Sequence, residues 1–562
     1  MMIALLWALC LSTPAADRFD FPMRLERANA NELPALVLQP ELLSPLEPLA
    51  QVVLRGAPLA DGRRVDLALE RADPDTADLV VEVDGVRVPG RFALQGSSWA
   101  GKVVGEPDSS VFVGFSPLGS RGWIYSQGEY HHILAQPGAD GLWAHSLSRL
   151  VSESQLGELG VRPNIDCGMD QLYAPGTIPH PERNPAPQSM ATTTTLVCRQ
   201  AIETDYQLYQ DFALDLAAEQ TYVAQLLGAE NQRYIEQINT VLSTVYLGFH
   251  TNSNDGWTSG DTGAGSGAML GEFQAAWANN LPNGANLATF LSGASLGGGV
   301  AWLDTLCNGT YGFAVCGNIT LQGGLTPFPV VQGPLTWDFM VLTHEVGHNF
   351  GTPHTHDWCP VPLDQCAPNG YFGNCQSSQV CINNGTLMSY CHLCSGGMNN
   401  VYPYFHQACA DLMRQRAENS CLGNWCSGPA SYCTGGVNQT GFPGDIGASG
   451  STSLSVNAFT LTASQLPPNK TGFFFYGPDA VQIPLGNGFR CVGGSQLFRL
   501  SPQSSGASGV ITRTLDFTQP PFSAGPGQIL PGTLWRFQCY YRDTGFGQGF
   551  NLTDGLAVPF CP

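Results

Sequence analysis

A short histidine-rich segment constrains this chain more than any other feature. It reads HEVGHNFGTPH from His344 to His354. If residues 337–350 form a helix, His344 and His348 project from one face, because side chains four residues apart on a helix are neighbours. Gly351 can adopt a positive φ and end the helix, so that the chain turns back and brings His354 towards the pair. The spacing therefore predicts three imidazoles around one metal ion.

Glu345 sits one step around the same helix, at a position that suits a general base. Its carboxylate can reach a water molecule near the metal without being a ligand itself. Three protein ligands leave a fourth position open, as in catalytic zinc sites, whereas structural zinc sites are usually closed by four side chains. The alternative is a helical histidine pair and a loop histidine that bind no metal. Since the chain has only 11 His in 562 residues, this spacing is rare by chance.

The spacing His-Glu-x-x-His-x-x-Gly-x-x-His resembles that of the metzincin metalloproteases. Within that group it is most similar to the reprolysin (adamalysin) branch. The resemblance implies one catalytic Zn²⁺ and protein or peptide substrates. The ligands and base that it implies are His344, His348, His354 and Glu345.

The residues after the third histidine depart from the reprolysin pattern. The branch usually has Asp directly after that histidine, whereas here His354 is followed by Thr, and Asp357 comes third. His356 lies between them and could compete for the metal only through a different turn, so we interpret it as a loop histidine. The departure concerns the branch more than the metzincin assignment.

A second segment, Gly385–Tyr390, resembles the methionine turn that lies beneath the metal in metzincins. It reads GTLMSY, and its distance from His354 suits the family. Tyr390 resembles the tyrosine that binds zinc or stabilises the oxyanion in the astacin and serralysin branches, which makes it a candidate catalytic residue. Alternatively, Met388 is an ordinary core residue and Tyr390 a packed tyrosine with its hydroxyl hydrogen-bonded nearby.

Length and charge bound the class of protein. A chain of 562 residues should hold about three domains with their own cores. Lys and Arg number 24 against 45 acidic residues, and the net charge of −21 argues against nucleic acid or an anionic membrane as partner. The acidic residues are spread out, which indicates solubility rather than a binding patch. No segment is long and apolar enough to predict a transmembrane span.

The start of the chain and its cysteines predict export. Residues 1–16 contain a short apolar run followed by small residues, and we interpret them as a signal peptide cut near Ala16, although a positively charged start is missing. The 18 Cys also indicate an oxidising compartment. The product is expected to be secreted and extracellular.

Residues 17–190 are rich in strand signals and are expected to form a propeptide-like domain. Val81–Val88 alternates around an Asp-Gly turn, which predicts a two-residue β-hairpin. The segment 101–124 is similar to the propeptides that precede reprolysin catalytic domains, although the same strands fit other β modules. Residues 173–195, rich in Pro, Thr and Ala, predict an exposed linker that a protease can cut.

Residues 191–422 are expected to form an α/β metzincin catalytic domain with a mixed twisted sheet, the active-site helix and the methionine turn. Residues 195–206 predict a strand leading to a helix, and 207–240 predict two helices from their apolar spacing. The segment 292–303 resembles the edge strand of a metzincin cleft, with which an extended substrate can pair. The alternative is a Gly-rich turn before a core strand. Residues 405–420 fit the helix that follows the methionine turn.

Ten cysteines lie between residues 359 and 433. The Cys391 and Cys394 spacing would indicate a second zinc or a redox pair in a cytosolic protein. Disulfides are the preferred interpretation here, because an oxidising compartment is expected and the surrounding loops lack a large core. Their pairing stays open.

Residues 423–562 shift in composition towards Gly, Ser, Asn and Thr, with short apolar strands and little charge. They predict an all-β sandwich. The region resembles a C-terminal module of secreted bacterial enzymes. Surface binding, substrate binding and service as a spacer all remain open for it.

Cys167 is the candidate for a fourth metal ligand that keeps a precursor inactive. Removal of Cys10 with the signal peptide would leave 17 Cys, so that at least one cannot pair within the monomer. Cys167-Gly resembles the Cys-Gly of reprolysin propeptides, in which a thiolate fills the open zinc position. The alternative is a disulfide between Cys167 and Cys198.

Two classes of function compete at this point. The first is a secreted zinc endopeptidase made as a latent precursor. The second is a catalytically silent matrix or surface-binding protein that uses the zinc domain as a scaffold. Glu345 favours the enzyme, because a scaffold without catalysis has no need of the base.

Overall fold

The computed structural model describes residues 18–26, 34–46, 49, 51–72, 79–88, 96–137, 143–148, 166–167, 172, 195–321, 337–424, 428–454, 456–530 and 533–560. The interpreted signal peptide and the predicted linker up to residue 194 lie outside these residues. The described residues divide into two compact units, one within residues 18–425 and the other within residues 426–562. The expected propeptide-like and catalytic regions thus share one unit.

The N-terminal region is built from strands. They are β1 (Arg18–Asp20), β2 (Met23–Leu25), β3 (Ala35–Leu38), β4 (Gln51–Pro58), β5 (Arg64–Arg71), β6 (Val80–Val83), β7 (Val86–Arg87), β8 (Ser97–Val103), β9 (Ser110–Phe115), β10 (Arg121–Ser126), β11 (Glu129–Pro137), β12 (Trp143–Ser148) and β13 (Asp166–Cys167). The N-terminal sheet contains ten of them in the order β1-β4-β5-β8-β9-β10-β11-β12-β3-β2. β9 reads SVFVGF and is buried along its whole length, as a continuous apolar run predicts.

The predicted hairpin at Val81–Val88 is confirmed, but it belongs to a different sheet. β6 and β7 pair antiparallel around a turn in which Asp84 and Gly85 both have positive φ, 50° and 71°. β6 also runs parallel to β15 (Thr240–Phe249), which lies in the region that carries the histidines. The hairpin therefore extends the sheet of that region.

In the central region, the described residues 195–321 and 337–424 contribute six strands of a nine-stranded mixed sheet and six α-helices. Its strands are β14 (Leu196–Thr204), β15, β16 (Leu287–Leu291), β17 (Gly298–Ala301), β18 (Phe313–Cys316) and β19 (Gly423–Asn424). The central sheet has the order β13-β17-β18-β16-β14-β15-β6-β7, with β19 paired to β14. β14, β15, β16 and β18 are parallel, whereas β17 runs antiparallel to β18.

The helices described in the central region include the four that the sequence predicts and two that it does not. They are α1 (Tyr206–Asp211), α2 (Leu216–Ile238), α3 (Thr258–Thr262), α4 (Ser266–Trp277), α5 (Trp337–Asn349) and α6 (Gln407–Glu418). The strand before residue 206 and the two helices between 207 and 240 are confirmed. Asp205 and Asp215 start these helices by accepting backbone N–H groups, from Leu208 and from Ala217 and Ala218.

One hydrophobic core joins α2 and α5 to the central sheet. The core includes Leu226 of α2, Leu342 of α5 and Leu247 of β15. The hydroxyl of Tyr234 in α2 donates to the carbonyl of Thr343 in α5 at 3.1 Å. Helix α5 is buried on every side, so its position is fixed by packing.

The C-terminal unit is rich in strands. They are β20 (Ala430–Tyr432), β21 (Asp445–Gly450), β22 (Phe459–Ser464), β23 (Thr471–Gly477), β24 (Asp479–Leu485), β25 (Gly488–Gly493), β26 (Phe498–Arg499), β27 (Gln503–Ser504), β28 (Ile511–Leu515), β29 (Leu534–Arg542), β30 (Phe550–Leu552) and β31 (Gly555–Pro559). They form sheets of seven, three and two strands. Leu461 of the three-stranded sheet and Phe537 of the seven-stranded sheet lie in the same core. Among the described residues, none of the helices combines the length and the apolar character needed to cross a bilayer.

Gly248 of β15 offers a test of the packing in the central sheet. A Cβ at this position would lie 1.8 Å from Oε2 of Glu203. The carboxylate of Glu203 cannot move freely, because His250 and Trp257 contact its other oxygen at 2.7 and 3.3 Å. Gly248→Ala should therefore lower the free energy of unfolding by about 1–3 kcal/mol, measured by chemical denaturation.

Gly271→Ala in α4 is the matched control for this substitution. Gly271 is exposed, and a Cβ there would contact nothing within 4 Å. The substitution should raise stability by about 0.5–1 kcal/mol, because alanine is the better helix former. Equal unfolding midpoints for the two variants would contradict the packing at Gly248.

Candidate metal centre

Helix α5 holds the first two histidines and ends where the sequence predicts. Asn349 is its last residue, and Gly351 follows with φ of 95°. The side chain of Asn349 donates to the carbonyls of Trp302 and Phe313 at 2.8 and 3.1 Å. These bonds anchor the end of the helix to the segment that joins β17 and β18, and the chain then turns towards His354.

The three predicted histidines come together. The Nε2 atoms of His344 and His348 lie 3.0 Å apart. The ring of His354 lies 5.2 and 4.7 Å from the rings of His344 and His348, between centroids. One potential ligand atom from each histidine lies within 4.8 Å of the others, and all three side chains are buried.

Two backbone carbonyls orient the imidazoles of helix α5. Nδ1 of His344 lies 2.5 Å from the carbonyl oxygen of Leu387, and Nδ1 of His348 lies 2.8 Å from that of Thr352. A carbonyl oxygen only accepts hydrogen bonds, so each Nδ1 carries the proton and donates it. In the neutral rings, each Nε2 then carries its lone pair on the side where the histidines meet, as metal ligands require.

Burial keeps these imidazoles neutral. It lowers the pKa of His344 to about 4. It also lowers the pKa of His348 and of His354 well below the ordinary value, and the neighbouring histidines act in the same direction. Neutral imidazole is the form that binds a metal. The donor set, its tautomers and its protonation therefore fit a Zn²⁺ ion.

The predicted methionine turn lies directly against helix α5. Met388 is fully buried, and a Cβ at Gly347 would lie 3.1 Å from its Sδ atom. The carbonyl of Met388 accepts the backbone N–H of Thr355 at 2.9 Å, which ties the turn to the residue after His354. Because Leu387 holds His344, this short segment contacts both sides of the histidine cluster.

Glu345 lies beside the cluster and borders the edge strand. It follows His344 on helix α5 and is buried. A Cβ at Gly299 of β17 would lie 2.4 Å from Oε1 of Glu345 and 2.6 Å from a methyl group of Val341. A glycine is therefore needed at this point of β17, and the strand passes close to the carboxylate.

The residues after His354 are more deeply buried than the sequence predicts. His356 lies in a short 3-10 turn, Thr355–Asp357, and is fully buried. Its ring stacks on His354 with 5.2 Å between centroids, and the ring of Tyr390 lies 4.3 Å from His354 and 4.9 Å from His356. Burial lowers the pKa of His356 to about 3. Tyr390 is thus brought to the cluster.

Three features of this site were not found from the sequence. They are the carbonyl of Leu387, the carbonyl of Thr352, and Asp357, whose carboxylate lies 3.8 Å from Nδ1 of His354. Backbone carbonyls leave no signal in a sequence. Asp357 did leave one, since it lies three residues after the third histidine and can return to it through one short turn.

Disulfides hold the segment between His354 and the methionine turn. They join Cys359 to Cys375, Cys366 to Cys391 and Cys381 to Cys394. Another disulfide joins Cys307, which lies between β17 and β18, to Cys421, which follows α6. Cys391 and Cys394 thus bond to different partners, and the disulfide interpretation of this pair is confirmed. A further disulfide, Cys433–Cys491, lies in the C-terminal unit.

Cys167 belongs to β13, whose backbone pairs with the edge strand β17 next to Glu345. β13 pairs with β17 in parallel, with Cys167 opposite Gly299. The side chain of Cys167 lies outside the described part of the chain, so its interpretation as a metal ligand stays a prediction. Cys198 is a free buried thiol, which excludes the alternative Cys167–Cys198 disulfide.

The cysteine count does not single out Cys167. Four described cysteines are unpaired and buried, namely Cys198, Cys316, Cys409 and Cys539. An odd total therefore identifies no particular thiol. The backbone pairing of Cys167 with Gly299 of β17 now supports the prediction that Cys167 is a metal ligand, in place of the cysteine count.

Met388→Leu tests whether the methionine supports the site by packing alone. The swap roughly conserves volume, so zinc should be retained, activity should stay within about tenfold, and the stability cost should be below about 1.5 kcal/mol. Zinc content is measured by atomic absorption after gel filtration. Met269→Leu is the control, a buried methionine in a separate core. Loss of zinc from Met388→Leu alone would contradict a packing role.

The comparisons with known proteins agree with this geometry in part. No curated protein matches the chain significantly. The crystal structure of metalloproteinase-II from Bacteroides fragilis matches 55% of this chain and 84% of its own, at 10% identity and a TM-score of 0.29, which is too low to support an argument. Residues 194–401 match the family model Reprolysin_5, metallo-peptidase family M12. The segment that contains the three histidines and the methionine turn is therefore similar to the metallopeptidases of family M12.

Proposed function

We propose that the chain is a secreted zinc-dependent endopeptidase that is made as a latent precursor. The observation that carries this proposal is the convergence of His344, His348 and His354 beside Glu345. Both Nδ1 atoms on helix α5 are committed to carbonyls, so the Nε2 atoms are available to a metal. Metallopeptidases of family M12 are zinc-dependent, and the family match covers this segment.

The three histidines would hold the zinc ion, and three ligands leave a position for water. When bound, zinc supplies Lewis-acid activation of that water and of the substrate carbonyl. Glu345 acts as general base, accepts the proton of the attacking water and delivers it to the leaving amine. Glu345 is buried beside the histidines, so few water molecules surround its carboxylate. Exclusion of bulk water prevents the proton from leaking to solvent during the transfer.

Tyr390 is proposed as a second catalytic residue. Its ring lies against that of His354, at 4.3 Å between centroids. From this position its hydroxyl would donate a hydrogen bond to the substrate carbonyl oxygen as that oxygen gains negative charge.

The edge strand β17 is proposed to bind the substrate backbone. β17 pairs with β18 on one side, and an extended peptide can pair with its other side. At Gly299 the backbone of β17 passes next to Glu345, since a Cβ there would lie 2.4 Å from Oε1 of the carboxylate. A peptide that pairs with β17 at this point would therefore lie close to Glu345.

Latency is proposed to arise from the same strand. β13 pairs with β17 at Gly298 and Gly299, where a substrate would bind. Cys167 would add its thiolate as a fourth metal ligand, which excludes the water needed for hydrolysis. Cutting within the predicted linker between residues 173 and 194 would allow β13 to leave.

The remaining parts of the chain are proposed to follow the sequence analysis. Residues 1–16 act as a signal peptide, 17–190 as the propeptide-like region, 191–422 as the catalytic domain and 423–562 as a β-sandwich. The shared core of two C-terminal sheets supports the last assignment. The disulfides support an oxidising, extracellular location.

Glu345→Ala tests the base. The variant should keep zinc and fold but lose nearly all peptide cleavage, since the substitution removes the carboxylate that is proposed to take the proton. Casein digestion is measured after linker cleavage, with zinc content and circular dichroism as checks. Glu70→Ala, at an exposed position of β5, should cleave casein normally. Equal rates for Glu345→Ala and wild type would place the base elsewhere.

Cys167→Ser tests the source of latency. A hydroxyl is far harder to deprotonate onto zinc than a thiol, so uncut Cys167→Ser should cleave peptide while uncut wild type does not. Intactness is checked on a gel. Cys198→Ala removes another unpaired thiol and should remain latent. Equal latency of Cys167→Ser and wild type would show that the thiol is not the switch, and β13 pairing alone would then have to block the cleft.

A further inference from the structure

The middle of the N-terminal sheet is covered on both faces. Val113 on one face belongs to a core made only of N-terminal residues. Ala100, Phe112 and Trp123 stand opposite one another on β8, β9 and β10, and so form one row across the other face. All three belong to the core of the central region.

Apolar contacts join this row to the helices of the central region. The rings of Phe112 and Trp123 lie 5.2 Å apart, and Trp123 meets Phe339 of α5 edge to face at 6.2 Å. A Cβ at Gly228 of α2 would lie 3.0 Å from the ring of Phe112. The sheet thus packs against α2 as closely as elements do within one domain.

Arg121 of β10 is a charged anchor in the same contact. It is 1% exposed, and its guanidinium lies 5.1 Å from the ring centre of Tyr222 and 3.3 Å, through Nη1, from the side-chain oxygen of Gln225. The side-chain amide of Gln225 in turn donates to the carbonyl of Gly119 at 3.1 Å. Burial lowers the pKa of Arg121 to about 10, so it stays charged. A desolvated arginine over an aromatic ring is typical of a strong interface residue.

The hairpin β6–β7 forms a second attachment. β6 pairs with four residues of β15, from Tyr246 to Phe249. Beyond the backbone ladder, Asp84 accepts hydrogen bonds from the N–H and hydroxyl of Thr251 at 2.8 and 2.6 Å. Separation would expose the backbone groups of β15 along these residues.

The described pairing of β13 is shorter by comparison. Within the part of the chain that the structure describes, β13 pairs with β17 at Asp166 and Cys167. The sheet face and the hairpin therefore provide the larger described contact with the central region. Activation and loss of the N-terminal sheet need not be the same event.

We propose that the N-terminal sheet with its β6–β7 hairpin is a lasting partner of the central region. After the predicted linker is cut, residues 18–148 stay bound non-covalently through the row at Phe112 and Trp123, Arg121 and the hairpin. The mature protein is then a complex of two fragments. This inference goes beyond the proposed function, because it concerns assembly and holds whether or not the site cleaves peptides.

The test is to cut the chain and ask whether the fragments separate. A recognition sequence for a site-specific protease is placed between residues 180 and 190 of the full chain carrying Glu345→Ala, so that self-cleavage plays no part. After cutting, a non-reducing denaturing gel shows two fragments that no disulfide joins. Size-exclusion chromatography at about 1 μM should show both fragments in one peak, as expected for an interface with a packed core.

Substitutions locate the contact. Arg121→Ala should make the cut complex dissociate at least about tenfold more readily on dilution. Arg55→Ala is the matched control, since Arg55 is exposed and paired only with Asp20 in the described structure. Equal dissociation of the two variants would overturn the role of Arg121.

The unsubstituted interface decides the proposal even if Arg121→Ala fails to fold. Elution of the N-terminal fragment apart from the remainder, soluble or aggregated, would overturn it. The result is independent of the proposed function, because Glu345→Ala removes the base and the readout is co-elution. Failure of casein cleavage elsewhere would leave this test unchanged.

Discussion

The carbonyls of Leu387 and Thr352 decide what the histidine cluster can do. Each one accepts the Nδ1 proton of an imidazole on helix α5 and so leaves Nε2 open towards a metal. Met388, the next residue, packs against Gly347, where a Cβ would lie 3.1 Å from its Sδ atom. The disulfides of residues 359–394 hold the segment that leads into this turn. The metal centre therefore depends on packing beneath the helix as much as on its ligands.

The central sheet is completed at both ends by residues from the N-terminal region. The β6–β7 hairpin covers β15 at one edge, and β13 covers β17 at the other. Exposed strand edges invite further pairing, and a peptidase needs one such edge for its substrate. In the described residues, the hairpin pairs with β15 over four residues and β13 pairs with β17 over two. Phe112, Trp123 and Arg121 of the N-terminal sheet add a buried contact with the central region. The same region thus pairs with the central sheet along both of its edges.

Disulfide pairing separates the described cysteines into two chemical groups. Five described disulfides lie in the central region and the C-terminal unit. Cys198, Cys316 and Cys409 are free, and burial raises the pKa of each thiol, to about 12 for Cys409. Thiols in this state are poor nucleophiles and poor ligands. A cysteine count cannot reveal this division, because pairing and burial depend on the folded chain.

The sequence by itself determined the ligand-bearing helix, the turn at Gly351 and the methionine turn. These features are local, since helical spacing and a positive φ follow from residues close together in the chain. The family match over residues 194–401 agrees with them. The tertiary structure alone decided that the β6–β7 hairpin joins the central sheet and that β13 pairs with β17. These pairings join distant segments, and a short β-strand carries no signal for the partner that its backbone will find.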